Sequence, residues 1–214
     1  HGANVLDLEQ HVEPDKKLFF MRIHADLKNM EISEDSLHEI LRDQVKKMNA
    51  NIQFYYPENL QKVAIFVTKE SDPLYDLLIK HQSGEITCEI PCIISNHQDL
   101  ENTVKQFNIP FHHLPISPET KSDQENAIRA LMDKENIDLL VLARSMQLLS
   151  AGFVEDYHGK IINLHHGFLP AFKGESPYRQ AWDRGVKMIG ATAHYVTEEL
   201  DEGPIIEQDV VCLL

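Results

Sequence analysis

The chain has 214 residues, 43% of them apolar and 25% charged, with a formal net charge of −14. That balance argues against nucleic acid as a partner, because a basic face is needed to displace phosphate counterions. No apolar run approaches the roughly 18–20 residues needed to cross a bilayer, and the opening HGANVLDLEQH lacks the basic and apolar stretches of a signal peptide.

Two stretches differ in character: residues 1–57 and residues 63–214. In the first, Asn4–Val12 and Lys17–Ala25 read as extended runs separated by the turn signal Glu13-Pro14-Asp15. Val5, Leu6 and Leu8, then Leu18, Phe20 and Met21, supply their apolar faces. A helix is predicted at about Ser33–Asn49, where Leu37, Ile40, Leu41, Val45 and Met48 form one apolar stripe. Ile52–Tyr56 reads as a further strand, and Pro57-Glu58-Asn59 as a linker. A β-β-α-β unit of this size needs another strand and helix to close a layer, so the chain is expected to begin inside a domain.

From Lys62 onward, strands alternate with helices. Val63–Val67, Cys88–Ile94, Leu139–Leu142 and Ile161–Leu164 are short apolar runs of the kind buried on both faces of a parallel sheet. Leu100, Val104 and Phe107 precede a helix predicted at about Asp123–Asn136. There Ser122 and Glu125 have capping-box spacing and Ala127, Ile128, Leu131 and Met132 form the buried face. Ile189–Val196 and Ile205–Val211 complete the strands. The pattern specifies an α/β fold with a doubly wound, mostly parallel sheet, whose ligands bind beyond the carboxyl ends of the strands.

Cys88, Cys92 and Cys212 form an odd, sparse set, expected to be reduced thiols in an intracellular compartment. In an extended segment Cys88 and Cys92 stand about 13 Å apart, too far to share a metal.

The strand Lys160–Leu164 runs directly into His165-His166-Gly167. Period-two alternation puts Asn163 and His165 on one face and Leu164 and His166 on the other. A carboxamide that donates to an oxyanion and an imidazole that moves a proton near neutral pH thus share a strand end. Asp201, in Glu198-Glu199-Leu200-Asp201-Glu202-Gly203-Pro204, is the candidate for a third group that orients the histidine. An acidic loop is more often a solvated turn, and spacing alone does not bring Asp201 to His165. His112-His113 and the Lys173-Gly174 loop are weaker candidates for lining such a site.

The stretches IINLHHGFLPAFKG and GATAHYVTEELDEGPIIEQ resemble the folate-dependent formyltransferase family, whose signature is Asn-x-His followed by the Asp of a Leu-Asp-x-Gly-Pro loop. Within it, His165-His166, Ala171-Phe172-Lys173-Gly174, Pro177-Tyr178, Gly190–Val196, Ile94-Ser95-Asn96-His97 and Ile109–His113 are most similar to the formyltetrahydrofolate deformylases. Residues 1–57 resemble the small ACT-type regulatory domain of those deformylases, without its first strand and helix. The family's sequence continues beyond the position of Leu214.

The resemblance implies 10-formyltetrahydrofolate as substrate, no resident cofactor, no metal, and catalytic roles for Asn163, His165 and Asp201. It places the folate along Leu142, Arg144, Met146 and Gln147 and against Glu199 and Leu200. It also implies an amino-acid effector at the amino-terminal module, a homo-oligomer, and a cytoplasmic setting (organellar if a leader was trimmed), with neither nucleic acid nor membrane as partner. The chain departs from the deformylase pattern at Ser145, usually aromatic, at Gly167, usually serine, and at Asp72-Pro73, usually a His-Cys pair.

Two other functions compete. A formyltransferase with an amine acceptor such as glycinamide ribonucleotide needs a glycine-rich phosphate cradle after its first strand. Here that segment reads Thr68-Lys69-Glu70-Ser71-Asp72-Pro73, acidic and without glycine, which favours water as acceptor. A non-catalytic ligand sensor is the third reading, and the intact Asn163, His165 and Asp201 count against it.

Overall fold

The structure is a computed structural model that describes residues 2–144 and 149–212. The chain divides into two compact units, His1–Pro57 and Glu58–Leu214.

In the first unit, β1 (Asn4–Glu13) and β2 (Leu18–Asp26) form an antiparallel hairpin. Its turn closes with Lys17 N–H donating to the Pro14 carbonyl at 3.2 Å. Helix α1 (Glu34–Lys47) starts at Ser33, whose side chain accepts from the Ser36 N–H. Acidic Glu34 and Asp35 in its first turn and basic Lys46 and Lys47 in its last complement the helix dipole. Ile52–Tyr56, expected as a strand, is irregular. A strand exists only where a neighbour completes its ladder, and among the described residues β1 and β2 pair only with each other. The segment lies instead along α1, with Phe54 stacked 4.0 Å from the His38 ring.

The second unit is built on a seven-stranded sheet with strand order β5-β4-β3-β6-β7-β8-β9. Its strands are β3 (Val63–Val67), β4 (Ile93–Ser95), β5 (Phe111–His113), β6 (Leu139–Ala143), β7 (Ile161–His165), β8 (Met188–Tyr195) and β9 (Ile205–Cys212). β5 through β7 are parallel, and β8 and β9 extend the sheet antiparallel. The chain winds outward from β3 in one direction and resumes at β6 in the other, so the switch point lies between β3 and β6.

Alternation along each central strand feeds two cores. Ala64, Phe66, Leu140 and Leu142 pack with Ile128 and Met132 of α4 (Lys121–Glu135) and Phe153 of α5 (Ala151–Asp156). Ile65, Val67 and Ala143 pack on the opposite face with Leu74 and Leu78 of α2 (Asp72–Ser83) and Val104 of α3 (Glu101–Gln106). Each large side chain buried this way, such as Phe66 or Phe153, contributes roughly 1.5–3 kcal/mol. A sheet covered on both faces is what the uninterrupted apolar runs of β3 and β6 specify.

Two further expectations need correction. Cys88–Ile94 is not one strand: β4 begins at Ile93, and the earlier part contributes only an isolated bridge from Glu89 to Lys62. Nor do Ser122 and Glu125 form a capping box. Helix α4 starts after Thr120, and Glu125 turns inward to another partner. Among the described residues, no helix is long and apolar enough to cross a membrane.

Candidate active site

The carboxyl end of β7 delivers Asn163 and His165 to the face that carries Leu142, whose register partner is Asn163. Antiparallel β8 sets His194 opposite Asn163 and Thr192 opposite His165. The β8–β9 ladder shifts register between Ala193 and His194, an irregularity of the kind that re-aims a side chain. The connection from β8 to β9 then folds back over the strand ends. Gly203 permits this, because a Cβ there would lie 1.7 Å from the Tyr195 carbonyl oxygen. Asp201 takes the left-handed conformation (φ 54°) that Asp tolerates better than most residues, and its side chain turns into the protein.

Four polar side chains converge. His165 Nε2 donates to the Phe172 carbonyl at 2.8 Å, and its Nδ1 lies 3.5 Å from Asp201 Oδ2. His194 Nδ1 donates to the Tyr195 carbonyl at 2.9 Å, which leaves Nε2 of the neutral ring to accept from Asn163 Nδ2 at 3.2 Å. The same Nε2 stands 3.6 Å from Asp201 Oδ1. Gly174 N–H donates to Asp201 Oδ2 at 2.9 Å. His165, His194 and Asp201 are each more than nine-tenths buried, so these dipoles act in a poorly screened setting.

The hydrogen-bond inventory fixes the roles. Both imidazoles face a carbonyl with one nitrogen, which must carry the hydrogen; the other nitrogen meets Asn163 in His194 and faces Asp201 in His165. Asn163 spends one of its two Nδ2 hydrogens on His194. Its Oδ1 is buried and has no partner among the described residues.

Thr192 braces this arrangement, accepting from Leu169 N–H and donating to the Gly167 carbonyl. Gly167 is closely packed: a Cβ there would lie 2.6 Å from Pro177 Cβ and 2.7 Å from His165 Nε2. Lys173 pairs with Glu202 at 2.6 Å, so the Lys173-Gly174 loop is tied to the Asp201 loop at two points. The Lys173 hydrogen bond holds the Glu202 carboxyl below the usual carboxylate range. Its hydrogen bond with Glu202 pushes the Glu199 carboxyl above that range.

His166 points away from Asn163 and meets Tyr178 edge-on at 5.5 Å. Burial, followed by the charges of Arg144 and His165, holds its imidazole below the ordinary value. His112 and His113 are not brought to the site. They sit on edge strand β5, four strand spacings or roughly 19 Å from β7.

Of the residues expected to hold a ligand, Leu142 is buried in the core. Arg144 follows β6 at φ 56° and faces Glu70 at 3.8 Å. Leu200 is 54% exposed and Glu199 lies beside it. Met146 and Gln147 lie outside the described residues. A cleft of about 450 Å³ opens between Val154, Glu155 and His158 on one side and Thr197, Glu199 and Glu202 on the other. Among the described residues, no group of His, Cys, Asp or Glu is arranged to hold a metal ion.

His194 is the member that strand reasoning left unassigned. The signal was available, since Gly190, Thr192 and His194 alternate along β8 and a buried imidazole requires a partner for each nitrogen.

A sequence profile described as formyl transferase matches residues 61–214. The chain is 46% identical to a formyltetrahydrofolate deformylase of Synechocystis sp., over 98% of this chain and 73% of that protein. It is 38% identical to one of Escherichia coli, over 99% and 74%. Among solved structures, a formyltetrahydrofolate deformylase from Pseudomonas syringae pv. tomato superposes with a TM-score of 0.92 at 38% identity, covering 100% of this chain and 72% of that one. A phosphoribosylglycinamide formyltransferase from Bacillus halodurans gives 0.66 at 31% identity, covering 72% and 81%.

Proposed function

Because the chain belongs to the formyl transferase family, we propose that it hydrolyses 10-formyltetrahydrofolate to formate and tetrahydrofolate. The observation that carries this reading is the convergence of half-buried Asn163 with buried His165, His194 and Asp201. Likeness to relatives named deformylase over nearly the whole chain supports water as the acceptor.

The free Nδ2 hydrogen of Asn163 polarises the formyl oxygen and holds the oxyanion, an interaction worth about 2.7–4 kcal/mol where such a donor has been removed. His165 Nδ1 and the Asp201 carboxylate face each other across 3.5 Å, both as acceptors, and a water beside them donates one O–H to each. As the water oxygen bonds to the formyl carbon, its proton passes to this pair. Collapse of the tetrahedral species breaks the carbon–N10 bond, N10 leaves with a proton returned from the pair, and the formic acid so formed ionises to formate. General acid–base help of this kind is worth typically 10²–10⁴-fold. One oxygen of the formate comes from the formyl group and one from water.

The cleft beside Thr197, Glu199 and Glu202 supports placing the pterin there. Its ring edge is rich in N–H donors, which acidic and carbonyl acceptors suit. Of the residues that the family resemblance assigns to the folate, Glu199 lines this cleft. No metal and no resident cofactor enter this scheme.

Residues 1–57 are read as an ACT-type module that takes an amino-acid effector, supported by their order of two strands and an amphipathic helix. A homo-oligomer in the cytoplasm, supplying formate to one-carbon and purine metabolism, completes the proposal. Formate release measured with and without glycinamide ribonucleotide tests it. Release without the amine is expected, and strict dependence on the amine would identify a transferase instead.

A further inference from the structure

We propose that Glu125 is a positioning residue that sets the α5 wall of the substrate cleft through Ser150, an inference resting on the folate-hydrolase reading above. Glu125 lies on the inner face of α4 and is 4% exposed. A carboxylate there is costly unless its oxygens are met by donors. Both are met by one residue: Ser150 N–H donates to Oε1 at 2.7 Å and Ser150 Oγ to Oε2 at 2.5 Å.

Ser150 has a second task. Its Oγ accepts from Phe153 N–H at 3.2 Å and so caps α5. One turn of helix further on, Val154 and Glu155 line the cleft. Buried Glu125 and half-buried Ser150 therefore form a polar brace at the start of α5, next to Ile128 and Phe153 of the core on the sheet face that carries Asn163. A brace serving stability alone needs no carboxylate, since an apolar residue on α4 would fill the same space without the desolvation cost. What the carboxylate adds is direction, because its two oxygens accept two diverging donors from one residue and so fix where α5 begins.

The test compares wild type, Glu125→Gln, Ser150→Ala and the double variant. For each, the Kd for tetrahydrofolate is measured by calorimetry, KM and kcat by formate release, and Tm by thermal unfolding. Glu125→Gln is expected to raise both Kd and the KM for 10-formyltetrahydrofolate at least tenfold, with kcat within twofold of wild type. Ser150→Ala is expected to raise both at least threefold, and the double variant to match Glu125→Gln alone. Lowered Tm with unchanged Kd, a fall in kcat at constant Kd, or additive effects in the double variant would each overturn the proposal. If Glu125→Gln does not fold, Ser150→Ala decides: an unchanged Kd there overturns it. A wild-type chain that binds tetrahydrofolate yet releases no formate sinks the hydrolase reading, while the Kd comparison still decides the role of Glu125.

Discussion

Asp201 Oδ2 faces His165 Nδ1 at 3.5 Å, a gap wider than a direct N–H···O bond, which runs at about 2.7–3.2 Å. With His165 Nε2 committed to the Phe172 carbonyl, the proposed mechanism has the pair take a proton from water. Asp201→Asn keeps the size of the side chain but removes its charge. Turnover is expected to fall about 10²–10⁴-fold, with the Kd for tetrahydrofolate within about twofold of wild type. Steady-state kinetics alongside calorimetry checks this, and unchanged turnover would remove Asp201 from the chemistry.

His194 orients Asn163, and the two should behave as a unit. Asn163→Ala removes the oxyanion donor and is expected to lower kcat about 10²–10³-fold. His194→Phe, which leaves the amide free to rotate, lowers kcat less. In the double variant the losses do not add, since an absent amide needs no orientation. A double-mutant cycle on kcat measures this, and full additivity would mean that the two act separately.

Backbone closeness separates three glycines. A Cβ at Gly203 meets the Tyr195 carbonyl oxygen at 1.7 Å, and one at Gly167 meets Phe172 O at 2.9 Å. Gly203→Ala is expected to displace the Asp201 loop and abolish turnover, whereas Gly167→Ala, at a position where deformylases usually carry serine, is expected to lower turnover less by pushing on His165. At Gly84 nothing lies within 4 Å and only φ +81° is unfavourable. Gly84→Ala should therefore cost about 1–2 kcal/mol and leave kcat unchanged, as thermal unfolding and kinetics would show.

The thiols should react unequally. Burial pushes the Cys92 thiol up to about 11 from its ordinary 9.0, whereas Cys212 is exposed. Because the thiolate is the reactive form, a disulfide reagent at pH 8 is expected to label Cys212 quickly and spare Cys92 until the protein is denatured. The same shift carries a sign for stability. An acid whose folded value lies above its unfolded one stabilises fully below pH 9.0, and that contribution is lost as pH rises through about 11. Cys92→Ala should flatten this alkaline loss in denaturant titrations at stepped pH.

Much of the second unit was legible in the sequence. The apolar runs at Val63–Val67 and Leu139–Ala143 announce strands covered on both faces, and the two cores are where alternation puts them. The pairing of Asn163 with His165 followed from strand period alone. The approach of Asp201 to them did not. It depends on a fold-back that Gly203 permits and on a left-handed turn at Asp201, and spacing carries neither. Ile52–Tyr56 looked like a strand because local pattern cannot show whether an edge is available to pair with. Glu125 misled for a related reason. Its spacing from Ser122 fits a local cap, yet its partner, Ser150, lies 25 residues away.

The central claim is that water attacks the formyl carbon between Asn163, His165 and Asp201. Turnover of 10-formyltetrahydrofolate in H₂¹⁸O, with no amine present and the formate read by mass spectrometry, tests it most directly. The account predicts tetrahydrofolate and formate in equal amounts, each formate carrying one heavy oxygen. Unlabelled formate, or a formyl group that leaves the folate only when an amine is supplied, would contradict it.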